Sequence, residues 1–239
     1  MAHLVQKPKV WTEQLGREFG ITRQERHLPK KADSMNPAFH SLVAAAVMLL
    51  AYSVPTGAQE KPLHGWGLLG LGTGSANVAC DGDRCPSGWK LHGPTLMIAA
   101  GVMFTPHLGI GLGLDQWWRG PADTEATNTG TVFLRYRPSV RAGAFIESGV
   151  GLSRAGVRLD GDTIAQGRRW AVMAAVGYDV RLVRLKDADI TLTPRASYVY
   201  SSIGDLNYAA GRPPFATGWR HQVLSVGLGV GFSGPTARQ

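Results

Sequence analysis

The sequence predicts an all-β chain: eight antiparallel strands closed into an up-and-down barrel that crosses a membrane. Three observations predict it. From Gln59 onward, large apolar residues recur at every second position. The positions between them are largely Gly, Ala and Ser, with isolated charges. The connections between these runs are alternately short and long.

Each strand can be read in turn. The first is placed at about Gly65–Val78. In "TLMIAAGVMF", Leu96, Ile98, Ala100, Val102 and Phe104 alternate with smaller or softer residues. In "LGIGLGLDQWW", Leu108, Ile110, Leu112 and Leu114 share one face, and Gly109, Gly111, Gly113 and Asp115 the other. "TVFLRYR" sets Val132, Leu134 and Tyr136 against Thr131, Phe133, Arg135 and Arg137. "AFIESGVGL" sets Ala144, Ile146, Val150 and Leu152 against Phe145, Glu147, Gly149 and Gly151. "WAVMAAVGYDVRL" sets Trp170, Val172, Val176, Tyr178, Val180 and Leu182 against Gly177, Asp179 and Arg181. "ITLTPRASYVY" sets Ile190, Leu192, Tyr198 and Tyr200 against Thr191, Thr193, Arg195 and Ser197. The last strand, about His221–Phe232, ends in "SVGLGVGF". Alternation at 180° per residue means strands.

A soluble sandwich would bury the bulky face and wet the other. Here the other face is too small and too sparsely charged for an ordinary wet surface. It suits the crowded inside of a narrow closed barrel, with the bulky face in lipid. Backbone groups in lipid must pair internally, so such a sheet has to close. Eight strands leave an interior just wide enough for side chains to fill. Short connections fall near Thr105–His107, Pro138–Arg141 and Arg184–Ala188. Long ones fall near Ala79–Trp89, Gly120–Asn128, Gly156–Arg168 and Gly204–Trp219. Short periplasmic turns and longer external loops are the habit of such barrels. Trp89, Trp117, Trp118, Trp170 and Trp219, with Tyr200, sit at the long-loop ends, where an aromatic girdle is expected.

Ahead of the strands, residues 1–34 are polar and charged, either a long n-region or a mis-chosen start. Residues 35–58 read as a signal peptide. The apolar stretch Leu42–Val54 is well short of the roughly 20 residues a spanning helix needs. Pro55 follows it, and the small Thr56 and Ala58 fit a cleavage site before Gln59. The barrel is expected over 59–239. The net charge of +8 invites a nucleic-acid partner, but 7 of the 25 Lys and Arg residues precede Met35 and the rest are scattered, so none is expected. Cys80 and Cys85, in "ACDGDRCP", are too few for a structural zinc site. A short disulfide loop in an oxidising compartment fits them better than free thiols. Phosphate loops and dinucleotide fingerprints are absent from the sequence, and no cofactor is expected.

The segments "GWGLLGLGTGS", "FIESGVGLSR", "AVGYDVRL", "PRASYVYSSIGDL" and "LSVGLGVGF" resemble the small eight-stranded outer-membrane β-barrel proteins of OmpA/OmpX type, over about Trp66 to Phe232. The resemblance implies an envelope protein of Gram-negative type in the outer membrane, without implying one activity. Family members often end on an aromatic that assembly machinery recognises. Phe232 resembles that residue, although "SGPTARQ" follows it here.

The candidate chemistry lies with inward charges: Asp115, Arg135, Glu147, Asp179, Arg181 and Arg195. Pairing the strands about their turns puts Glu147, Gly177 and Arg195 at one height, with Gly177 leaving room for Arg195 to reach Glu147. Buried charges need partners, so an internal salt-bridge network is expected, with an ion path as the alternative. Enzyme chemistry would need a nucleophile, a base and an orienter within reach. His221, Ser201 and Ser202 lie near the outer strand ends, but their spacing matches no motif, and no catalytic residue is assigned. An outer-leaflet acyl hydrolase or acyltransferase is the alternative to a structural or surface-interaction role. Guanidinium forks suit phosphate, so Arg154, Arg158, Arg168 and Arg169 are candidate contacts to lipopolysaccharide phosphates; loop solubility explains them equally well.

Overall fold

The computed structural model describes residues 64–81, 89–119, 125–159, 162–186, 188–208, 214 and 216–234. The 1–34 extension, the signal peptide and Cys85 lie outside the described residues. The described residues form nine strands: β1 (His64–Asp81), β2 (Trp89–Met103), β3 (Leu108–Trp118), β4 (Glu125–Tyr136), β5 (Ala144–Leu159), β6 (Asp162–Tyr178), β7 (Val180–Arg184), β8 (Asp189–Tyr208) and β9 (Ala216–Ser233). Only Asp179 separates β6 from β7, and both pair with β8, so together they form one stave. Consecutive strands from β1 to β6 and from β7 to β9 pair antiparallel, β6 pairs with β8, and β1 pairs with β9. The result is a closed, eight-staved, antiparallel up-and-down barrel. Among the described residues no helix is long and apolar enough to cross a membrane.

The period-two pattern sets which way each side chain points. Leu71 and Val150 are 65% and 64% exposed on the outer wall, in a belt that also holds Leu69, Leu134, Ile146, Leu224 and Leu228. Monomeric soluble proteins rarely show so large a continuous apolar surface. Such a belt is stable against lipid, where backbone groups must pair within the sheet and closure of the ladder removes the open edges. At the seam, Gly67 lies opposite Phe232, whose ring covers it; a Cβ at Gly67 would collide with that ring.

The interior is filled by two apolar layers. The inner one, toward the short turns, includes Trp66, Leu68, Met97, Met103, Phe133 and Met173. The outer one includes Val78, Leu91, Trp117, Ile203, Leu206 and Trp219. Bare glycines on the inner face are where these rings fit: Phe133 lies over Gly111 and Gly113, and a Cβ at Gly111 would come within 2.7 Å of its Cζ.

Two connections differ from the sequence expectation. Gly156–Arg168 is not an open loop: β5 continues to Leu159 and β6 begins at Asp162. Likewise β8 continues to Tyr208 and β9 begins at Ala216. Hairpin pairing satisfies backbone groups in water as well as in lipid, so the staves outrun the apolar belt. A spanning strand needs only about 9–11 residues, whereas β8 has 20.

Candidate functional site

Within the inner apolar layer, against Trp66, Met97 and Met173, lies a set of buried charges. Inward parity on β4 and β5 makes Arg135 and Glu147 direct cross-strand neighbours. Arg135 Nε donates to Glu147 Oε1 at 2.9 Å, and its Nη2 lies 2.7 Å from the same oxygen. Arg195, on β8, donates through Nε to Glu147 Oε2 at 3.0 Å and through Nη1 to Asp115 Oδ1 at 3.0 Å. The Met97 sulfur lies 3.6 Å from its Nη1 and the Met173 sulfur 3.8 Å from its Nη2. The Arg135 guanidinium is sandwiched between Trp66, at 3.4 Å from the ring centroid, and Phe145, at 4.0 Å. Two carboxylates thus face two guanidiniums across β3, β4, β5 and β8, with no net charge. Glu147 is 0% exposed. A closed, neutral and hydrogen-bonded network is the arrangement that makes buried charge tolerable.

The structure corrects three details of the expected network. Gly177 pairs with Arg195, but the space over it is taken by the Phe145 ring, not by the arginine. The residue beside Glu147 on β6 is Ala175, and its small methyl leaves the reach open. Asp179 belongs to a second group at the turn end, bonding Arg137 at 2.8 Å and accepting from Thr193 Oγ1 at 2.8 Å. Arg181 is not inside: its side chain is 51% exposed and pairs with Asp189 at 3.1 Å. The register shifts between Arg181 and Val183, at the open end of the barrel, which turns Arg181 toward the rim.

The expected girdle also divides. Trp117 and Trp219 are buried inside the outer apolar layer and do not face lipid. Trp117 Nε1 donates to the Gly74 carbonyl at 3.3 Å. Parity requires this for Trp117, which is two residues from the inward Asp115. Trp170 points outward, with its ring 5.8 Å from that of Tyr200. Trp118 is half-buried beside Trp117, and Trp89 opens β2.

A polar chain not anticipated from the sequence lies within the outer layer. His221 Nδ1 and Thr127 Oγ1 are 3.1 Å apart, and His221 Nε2 lies 3.4 Å from Glu125 Oε1. Trp117 packs on the imidazole at 5.3 Å between centroids. A hydroxyl, an imidazole and a carboxylate in series have the partners needed for nucleophilic catalysis. Here Thr127 and His221 are buried, and Trp117 packs on the imidazole. Ser201 is the cross-strand neighbour of His221 and is likewise buried. Ser202 is the next residue, pointing to the other face.

At the end opposite the short turns, Arg154 and Arg168 stand directly opposite each other on β5 and β6, both outward and exposed. Arg169 is exposed beside Gly204, and Arg158 lies near the end of β5.

Apolar wall, filled lumen and paired internal charges define a small eight-staved membrane β-barrel. Among solved structures the chain is similar to Neisserial surface protein A, at 17% identity and a TM-score of 0.42 over 69% of this chain and 96% of that one. It is also similar to Ail, the attachment invasion locus protein of Yersinia pestis, solved with the heparin analogue sucrose octasulfate, at 16% identity and a TM-score of 0.44 over 70% and 98%. A third is the outer membrane protein OprG from Pseudomonas aeruginosa, at 13% identity and a TM-score of 0.36 over 71% and 95%. No protein-family model matches the chain, and no curated protein sequence matches it.

Proposed function

We propose that this chain is a non-enzymatic barrel of the Gram-negative-type outer membrane, with a structural or surface-interaction role. It would be exported by the 35–58 signal peptide and processed between Ala58 and Gln59, with Phe232 presented to the assembly machinery. Cys80 is not a free thiol, which supports a Cys80–Cys85 disulfide in the first external loop. The observation that carries the reading is the filled lumen. Two apolar layers, the inner one built around a neutral ion network, suit a plug and leave the external hairpins as the part available to partners. The outward arginines near the belt's external edge suit phosphate groups of outer-membrane lipids.

The test combines three measurements. Envelope fractionation with and without boiling before electrophoresis should find the chain in the outer membrane, in a heat-modifiable form. Planar-bilayer recordings should show no steady conductance, and lipid A profiles should be the same with and without the chain. A steady conductance would replace the plug by a channel. A lipid A species that depends on the chain, and vanishes in His221→Ala, would replace the structural role by a lipid-modifying one.

A further inference from the structure

The outward face of β5 and β6 carries a line of directly paired residues. From the middle of the wall toward the external end they are Ser148 with Ala174, Val150 with Val172, Leu152 with Trp170, and Arg154 with Arg168. Two features of this line are unusual. The first is a cleft of about 490 Å³ in the otherwise bulky wall, where the small Ser148 and Ala174 lie between Leu134, Val172 and Tyr198. The second is the Arg154–Arg168 pair. Like charges placed directly opposite on one sheet face repel. Arg154 donates to Gln166, which carries no charge, and among the described residues neither arginine has an acidic partner. Arg169, the next residue, has the opposite parity: it pairs with the buried Ser153, and its guanidinium lies beside Gly204.

Six residues separate Arg154 from Ser148, about 20 Å at roughly 3.3 Å per residue. In a hydrocarbon core of about 30 Å that reaches from headgroup level to near mid-membrane. One amphiphile fits both features: an anionic headgroup between the arginines, and a chain running past Leu152 and Trp170 into the cleft. Two guanidiniums exceed the single negative charge of a phosphodiester, and they lie at the external end. We propose that the β5–β6 wall is a binding site for one phosphorylated glycolipid of the lipid A class. Its phosphate would sit on Arg154 and Arg168, and one acyl chain in the cleft at Ser148. The site rests on the outer-membrane reading above, which sets the leaflet that this wall meets.

The experiment titrates the purified barrel, in an uncharged detergent, with lipid A, with dephosphorylated lipid A and with phosphatidylglycerol, following Trp170 emission and native mass spectrometry. Wild type should hold one lipid A. The double variant Arg154→Gln/Arg168→Gln should bind it about tenfold more weakly or worse, and added salt should weaken wild-type binding. Ser148→Leu/Ala174→Leu fills the cleft with apolar, lipid-compatible side chains. It should keep the heat-modifiable form yet also lose affinity. Equal binding of dephosphorylated lipid A, or an unaffected arginine variant, overturns the phosphate site. Equal binding of phosphatidylglycerol overturns the assignment to a glycolipid. Unchanged affinity in the filled variant overturns the chain site. A wild-type chain with no heat-modifiable form overturns the outer-membrane reading and the site with it; a heat-modifiable chain that ignores lipid A overturns the site alone.

Discussion

Replacing Glu147 by alanine is the sharpest probe of the lumen. Among the described residues Glu147 is the carboxylate that holds two buried guanidiniums, Arg135 at 2.9 Å and Arg195 at 3.0 Å. Breaking a buried ion pair by removing one partner costs about 3–5 kcal/mol, because a charge is left uncompensated. Glu147→Ala leaves an excess positive charge and loses both contacts, so the upper end of that range applies. Arg195→Ala is milder: Glu147 keeps Arg135, and the released Asp115 is 18% exposed and can take water. About half the loss is expected. Unfolding in urea from detergent micelles, followed by Trp emission, reads both. A 4 kcal/mol loss at a slope of about 2 kcal/mol per molar moves the midpoint by ~2 M. The double variant should lose less than the sum, by roughly 1–3 kcal/mol. A Glu147→Ala midpoint indistinguishable from wild type, or strictly additive losses, would refute the claim that this network holds the lumen together.

Four further outcomes are expected. Gly177→Val should cost roughly 1–3 kcal/mol, because a side chain there displaces Phe145 from the Arg135 guanidinium; Gly130→Val, with nothing within 4 Å of its added Cβ, should be close to neutral in the same assay. Brominated lipids in a reconstituted bilayer should quench Trp170 emission and spare Trp117, and equal quenching in single-tryptophan variants would contradict the placement. Thiol titration in denaturant of envelope material should find no free thiol; two per chain would remove the proposed disulfide. The intact mass of the envelope form should begin at Gln59, and residues ahead of Met35 on that form would overturn the leader reading.

Alternation alone made most of the wall legible. Leu108 to Leu114 and Leu224 to Phe232 face outward as read, because a strand has two sides and only one was bulky enough for lipid. The Glu147–Arg195 contact could be approached from turn lengths, since antiparallel register follows once a short turn is placed. What fills the space over Gly177 could not, because a ring's reach across a neighbouring stave is a matter of rotamer and barrel curvature. The Trp117 placement was available: "WW" must put one ring on each face, and Asp115 says which. The Thr127–His221–Glu125 chain was out of reach, because β4 and β9 meet only across the lumen, and sequence periodicity carries no information about opposite walls. The long hairpins were missed because Gly156 and Gly204 read as loop residues, yet each lies within a paired strand.

The pairing of β1 with β9 has a consequence for how the molecule is made. Trp66 finds Ser233 and Leu69 finds Val230, contacts between opposite ends of the described barrel. No other ladder spans so much of the sequence. All the remaining staves can zip as consecutive hairpins, but this one needs the last stave before it can start. Until then the growing sheet has two raw borders, His64–Asp81 on one side and the incoming strand on the other, each able to template a foreign strand. Long-range pairing of this sort is intrinsically slow. Closure is therefore the committing event of assembly, and Phe232 over Gly67 is its latch. A Gly67→Val variant, which has no room beneath that ring, should accumulate as an open, protease-sensitive sheet, while its hairpins pair as before.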